Sequence, residues 1–379
     1  MRAQLRTIIQ KAPKRTCGNN FYPILSITKD RGLVLQNERF KKQIASVDQS
    51  KYLIAKKGQL VLSIHLDEGV LSIQNVVEEG IVSPAYKIWD IDESVVRPKY
   101  LEYLLKTPSC VDYYKSKAQS SVAGRCNISD SDLLNIELEI PTLEEQDKAL
   151  SLVEKVSQIL KNRMLELEAL DDLIKARFVE MFGHQSKNDK GLSYKTIDDV
   201  AEIYLGITHT PEYVDDGVVF ISAKNTSGDF LDLTDVKHIS REEFEGAPAG
   251  SKPQKNDVLF SRVGSNLGHP VILEEDIELC TFVSLGFLRT KGMVTSNYLK
   301  HWMRDDFFPA QVSEHVKGGG QPNLNTGWLK QFRIIVPSLP EQRAFDSFCS
   351  QIDKSKSVIQ KSLDETQLLF DSLMQEYFG

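Results

Sequence analysis

Few residues in this 379-residue chain have the types and spacing that chemistry needs. Two acids and a lysine converging on a divalent ion make a nuclease. Asp235-Val236-Lys237, with Asp216 upstream, is the nearest match. Such triplets are frequent in a chain of this length, and a solvated turn after Leu231-Asp232-Leu233 is the simpler role. The seven histidines (65, 184, 209, 238, 269, 301 and 315) show neither HxxxH nor HxH spacing. The five cysteines (17, 110, 126, 280 and 349) form no CxxC pair, so buried free thiols are expected rather than a zinc ribbon or a disulfide framework. A phosphate loop ending in Gly-Lys-Ser/Thr and a Gly-x-Ser-x-Gly elbow are both absent. An amino-methylating enzyme needs a glycine-rich βα turn and an Asn/Asp-Pro-Pro-aromatic loop, and no Pro-Pro occurs at all. No catalytic constellation remains.

Binding is better served. Ser261 to Gly268 follows a strand-like run, with Gly264 and Gly268 for a tight turn and Arg262, Ser265 and Asn266 beside them. Arg262 offers a forked donor suited to phosphate or guanine, against the plainer reading of an ordinary hairpin. Lys317 to Asn323 contains three glycines that let backbone approach a ligand, and Gln321 and Asn323 carry amides of the type that read adenine. A flexible linker is the plainer reading there. Arg125 and Asn127 stand at the corresponding place one repeat earlier. Net charge is −7, but residues 1–60 hold 13 Lys/Arg against 3 Asp/Glu. A basic stripe on an acidic protein still tracks phosphates, because nearby charges set the local field. Its candidates include Lys29, Arg31, Lys41 and Lys42.

The elements that position these residues come from an internal repeat. Ile140-Pro141-Thr142-Leu143-Glu144-Glu145-Gln146 returns as Val336-Pro337-Ser338-Leu339-Pro340-Glu341-Gln342, an offset of 196 that holds without a gap to Gly183 and Gly379. Thr142 with Glu145, and Ser338 with Glu341, fit a capping box. About 40 residues free of glycine follow in each copy. Apolar spacing of 4 and 3 marks a seam through Val153, Val156, Leu160, Leu167, Leu170 and Ile174, and through Ile352, Ile359, Leu363, Phe370 and Leu373. Such helices are about 55–60 Å long and bury their stripes best against each other.

Residues 1–140 and 184–336 remain, and they resemble one another. Lys57 to Ser63 parallels Lys255 to Ser261, and Val82-Ser83 parallels Val283-Ser284. Short strand-like runs giving way to a helix read as α+β domains with curved, mainly antiparallel sheets. The expected order is domain (1–140), helix (141–183), domain (184–336), helix (337–379), the helices forming an antiparallel coiled coil with pseudo-two-fold symmetry. The opening strand of the second domain, near Tyr194 to Val200, maps before Met1 in the first. No apolar run reaches the ~18–20 residues that span a bilayer, and no leader is evident, so no membrane and a cytoplasmic location are expected.

Together the repeated Pro-x-Leu-x-Glu-Gln, the long helices and the domain phrases resemble the specificity subunit of type I DNA restriction–modification systems. Those phrases are Pro23 to Asp30, Gly206-Ile207-Thr208-His209-Thr210-Pro211 and Ser261 to Gly268. The resemblance covers essentially the whole chain. It implies two target-recognition domains that each read one half of a bipartite site in double-stranded DNA. It implies a helical spacer that docks two methyltransferase (modification) subunits, with a restriction motor–nuclease subunit able to join. It implies no catalysis and no cofactor in this chain. The methyltransferase is expected to use S-adenosylmethionine, and the restriction subunit ATP and magnesium. Arg262, Ser265 and Asn266 fall in the matching loop, and Lys224 and Asn225 follow their strand as Lys29 and Asp30 follow theirs. Two alternatives stay open: a specificity subunit whose partner fuses methyltransferase and nuclease, and a coiled-coil scaffold that binds only protein.

Overall fold

The structure, a computed structural model, describes residues 1–29, 31–39, 49–121, 125–264, 266–315 and 323–379, with 38, 39, 119–121 and 125–127 described by backbone alone. Four helices organise the fold: α1 (Pro98–Leu105), α2 (Leu143–Phe182), α3 (Ser296–Arg304) and α4 (Leu339–Phe378). Contacts divide the chain into two units, Met1–Arg163 with Ser362–Gly379, and Met164–Lys361. Each unit therefore takes half of α2 and half of α4.

In the first unit an antiparallel sheet runs in the order Ile9–Lys11, Lys87–Ile91, Leu60–Leu62, Leu71–Ile73. Leu60-Val61-Leu62 is apolar throughout because the strand separates two cores. Leu60 and Leu62 face the one covered by α1, and Val61 faces the one formed with Leu25, Leu53 and Val82. The second unit repeats this order with Ala201–Leu205, Leu285–Thr290, Val258–Ser261 and Pro270–Ile272. Val258 and Phe260 join the core with α3, and Leu259 joins the opposite one. Beside it, Val218–Ile221 pairs antiparallel with Lys237–Ile239 and parallel with Leu279–Thr281. Among the described strand pairs this parallel pairing is the exception, with two isolated parallel bridges at Ile24–Ile81 and Ile207–Phe282.

The missing opening strand is present. Arg2–Gln4 pairs with Glu137–Glu139 as Tyr194–Thr196 pairs with Arg333–Ile335. Its sequence carries no strand signal, since tertiary pairing across some 135 residues makes it a strand.

Both long helices start as the motif predicts. Thr142 N–H donates to Glu145 Oε2 at 2.8 Å and Glu145 N–H to Thr142 Oγ1 at 3.3 Å. Ser338 N–H donates to Glu341 Oε2 at 3.0 Å. The repeated glutamine then pins each start to the loop before α1 or α3. Gln146, fully buried, donates to Val95 O and Pro141 O and accepts from Arg97 N–H at 2.7 Å. Gln342 does the same with Met293 O, Pro337 O and Thr295 N–H.

Every named seam residue, from Val153 to Ile174 and from Ile352 to Leu373, is buried or half-buried, whereas Ile159, Leu165, Val358 and Leu368 off the seam are exposed. Within the second unit the helices run antiparallel. Phe182 and Phe178 pack on Phe345 (centroids 5.4 and 5.5 Å), and Asp171 meets Lys356 at 2.7 Å. In the first unit Ala149 and Val153 share a core with Phe370, Leu373 and Phe378. Phe378 packs on Tyr100, whose hydroxyl donates to Tyr377 O at 2.9 Å. The helix ends thus serve the globular cores as well as each other.

Candidate nucleic-acid interface

In the second unit several loops converge on Phe282 to Ser284. Ser284 Oγ accepts from Ala223 N–H at 3.2 Å, and Ser284 O from Arg262 N–H at 2.9 Å. Val283 N–H donates to Ile207 O, and Leu324 N–H to Arg262 O, both at 2.9 Å. Val263 and Asn323 form an antiparallel bridge. The loops beginning at Gly206, Ser222, Ser261 and Asn323 therefore build one surface. Gly206 is required there, because a Cβ would overlap the backbone of Thr281 and Phe282.

The structure corrects the roles of two sequence candidates. Arg262 does not offer its fork outward. Its Nε donates to Leu324 O at 3.3 Å and its Nη1 to Val283 O at 3.0 Å, while Nη2 reaches Asn323 Oδ1 at 3.5 Å. Burial lowers its pKa from the ordinary value. It ties its own loop to Val283 and to the segment at Asn323 and Leu324. Asn225 is 3% exposed, and its amide is consumed by Asp232 O, Asp235 O and Ser222 N–H. It shapes the turn that presents Lys224.

Lys224 is exposed and pairs with Asp235 Oδ2 at 2.9 Å. Lys237 instead lies over the Tyr213 ring, so Asp235 and Lys237 face separate partners. Asn266 and Asn323 are exposed on the same surface. In the first unit, Lys29 and Arg31 are exposed at the turn end of the hairpin Leu25–Thr28 to Gly32–Leu35, with Lys29 3.8 Å from Glu68. Gly32 supplies the positive φ of +66° that closes this turn. Arg125 and Asn127 lie in a strand paired with Gln119–Ser121. Lys41, Lys42, Ser265 and Gln321 fall outside the described residues.

Sequence reasoning missed Ser284, although the repeated Val-Ser phrase marked it. It also missed two exposed aromatics, Phe21 and Tyr213, which no local pattern distinguishes from core residues.

A cysteine–histidine approach, invisible in the sequence, occurs in the second core: Cys349 Sγ lies 3.7 Å from His301 Nε2. Burial pushes the thiol up to about 12 and the imidazole down to about 3. The pair is a neutral thiol beside a neutral ring, the opposite of an activated nucleophile. Cys17, Cys110, Cys280 and Cys349 are all buried and free. Among the described residues no three His, Cys, Asp or Glu side chains are grouped to hold a metal, and no helix is long and apolar enough to cross a membrane.

Two α+β domains with one strand order, each closed by halves of two long helices, define a duplicated scaffold. Residues 190–366 match the family described as the type I restriction modification DNA specificity domain. The type I restriction enzyme StySPI specificity subunit of Salmonella potsdam is 22% identical over 192 residues, which is 47% of this chain and 40% of that protein. The chain thus spans about two fifths of that relative's length. Two solved structures share the fold from end to end. One, from work on complex assembly and conformational transition of the type I R-M system, has a TM-score of 0.60 at 17% identity, covering 100% of this chain and 97% of that one. The other, the type I restriction-modification S subunit from M. genitalium, has a TM-score of 0.55 at 14% identity, covering 100% and 96%. Residues 190–366 are therefore similar to the type I restriction modification DNA specificity domain, and the chain as a whole shares the fold of these two structures.

Proposed function

We propose that this chain is the non-catalytic, DNA-reading subunit of a type I restriction–modification complex. Each globular domain reads one half of a bipartite double-stranded target. The paired helices set the spacing and dock two methyltransferase subunits, to which a restriction motor–nuclease subunit adds. The observation that carries this reading is the duplicated sheet order, built onto two helices that each contribute to both units. Two readers on one scaffold select by distance as well as by sequence. Lys29, Arg31, Lys224, Asn266 and Asn323 are the exposed candidates for phosphate and base contacts. S-adenosylmethionine belongs to the methyltransferase, ATP and magnesium to the restriction subunit, and the cytoplasm is where the complex meets its DNA.

Because the chain carries a net −7, the partners supply much of the positive surface. Affinity should be weak for the subunit alone and steeply salt-dependent for the complex. Tight binding by the purified subunit at physiological salt would contradict this.

The decisive experiment is co-expression with the adjacent methyltransferase and genome-wide mapping of methylated adenines. The expected result is one motif in two parts separated by a fixed gap. A scaffold that binds only protein yields no motif, and an uninterrupted motif removes the two-reader reading.

A further inference from the structure

We propose that Phe21 is a wedge which the first domain drives between two stacked base pairs of its half-site. This rests on the DNA-reading function and adds how the duplex is deformed.

Phe21 is 101% exposed, more than any other large apolar side chain among the described residues. Scattered exposed apolar residues are ordinary, but this one is held out by its surroundings. Cys17, on one side, is 1% exposed, and Tyr22, on the other, packs with it against Ile54 and Ile81. The backbone is fixed on both flanks. Cys17 N–H donates to Tyr52 O at 3.0 Å and Gly18 N–H to Ser50 O at 3.1 Å, while Pro23 O accepts from Ile81 N–H at 2.8 Å. Gly18, at φ +57°, makes the bend. The loop thus presents an apolar ring to water on a rigid mount.

The bordering segments carry charge. Of the six Lys/Arg in residues 1–29, Arg2, Lys11, Arg15 and Lys29 pair with Glu137, Asp130, Glu79 and Glu68, and Lys14 is not one of those pairs. Lys14 and Lys51 are exposed on the chain segments that border the loop. An apolar ring with exposed lysines on the neighbouring segments suits a polyanion whose interior is a stack of apolar faces, and aromatic or aliphatic wedges of this kind unstack base steps. In the second domain Tyr213, 46% exposed, lies in the strand Tyr213–Val214 paired with Lys237–Ile239, with Lys237 Nζ 5.7 Å from its ring and the Phe220 ring 6.0 Å away.

The test uses the assembled methyltransferase complex and duplexes carrying 2-aminopurine at successive positions of each mapped half-site. The wild-type complex should raise fluorescence at one step of the first half-site. Phe21→Ala should abolish that signal and weaken specific binding about 10- to 100-fold, the worth of burying one such ring, with an unchanged salt slope. Phe21→Leu should restore part of both, and Tyr213→Ala should act only on the other half-site. A Phe21→Ala complex that keeps signal and affinity overturns the wedge while leaving DNA reading intact. So does loss of assembly without DNA, read by size-exclusion chromatography, which would assign the ring to a protein partner. If the wild-type complex selects no sequence, the wedge falls together with the reading it rests on.

Discussion

Replacing Lys356 with methionine tests the joint between the helices and the second domain. Lys356 occupies a seam position on α4 with its side chain 12% exposed, and it contacts Asp171 on α2 at 2.7 Å and Asp229 at 3.1 Å. Asp229 also takes Arg304 of α3 at 2.9 Å. One cation therefore ties two helices and a domain loop together. Breaking a fully buried pair costs about 3–5 kcal/mol, and an exposed pair about 0–1. Both carboxylates are 37% exposed, so solvent screening reduces each contact to about 1–1.5 kcal/mol, or about 2–3 kcal/mol for Lys356→Met.

The pH dependence of this loss has a definite sign. Burial alone would raise the Asp229 pKa, but Arg304 and Lys356 outweigh it and hold the group below its ordinary 3.8. Burial alone would lower Lys356, but Asp171 and Asp229 outweigh it and lift the group above 10.5. The carboxylate's contribution is present above its ordinary pKa and fades as pH falls through the lowered value. The ammonium's contribution is full below its ordinary pKa and fades as pH rises through the raised one. The penalty should therefore be flat between about pH 5 and 10 and shrink in acid. Urea unfolding, followed through Trp302 and Trp328 of the second unit in a Trp89→Phe background, reads it. A loss below about 0.5 kcal/mol at pH 7, or one equally large at pH 3, refutes the reasoning.

Gln342→Leu keeps the helix but strands Thr295 N–H, Met293 O and Pro337 O; denaturant titration should show a loss of about 2–4 kcal/mol. Leu167→Asp together with Leu363→Asp places charge in the half-buried seam. That pair should splay the helices and abolish methyltransferase docking in pull-down while circular dichroism keeps the strand signal of the domains. Gly206→Ala forces a Cβ against the Thr281–Phe282 backbone. It should cost about 1–3 kcal/mol and weaken target binding by the complex, since the loops around Ser284 must shift.

The helices were the most legible part of the chain. A seam period near 3.5 and two capping boxes are local signals, and each seam position is among the less exposed of its helix. The sheets were legible in kind but not in pairing. Arg2–Gln4 becomes a strand only because Glu137–Glu139 offers it an edge. The reading surface was the least legible. An arginine in a glycine-containing loop looks the same in sequence whether its fork faces solvent or, as for Arg262, the carbonyls of Val283 and Leu324. Asn225 was misplaced for the same reason, since its partners at Asp232 and Asp235 are set by the path of its own loop.

The first unit draws its core from both ends of the sequence, Leu5 to Val153 and then Phe370 to Phe378, whereas the second is one continuous stretch. A ribosome therefore delivers the parts out of order. The later-made half can complete its own packing while the earlier-made half still waits for Phe378 to emerge. Until then the groove over Tyr100 and Tyr103 lies open, a time window in which a nascent chain is vulnerable and a chaperone has something to hold.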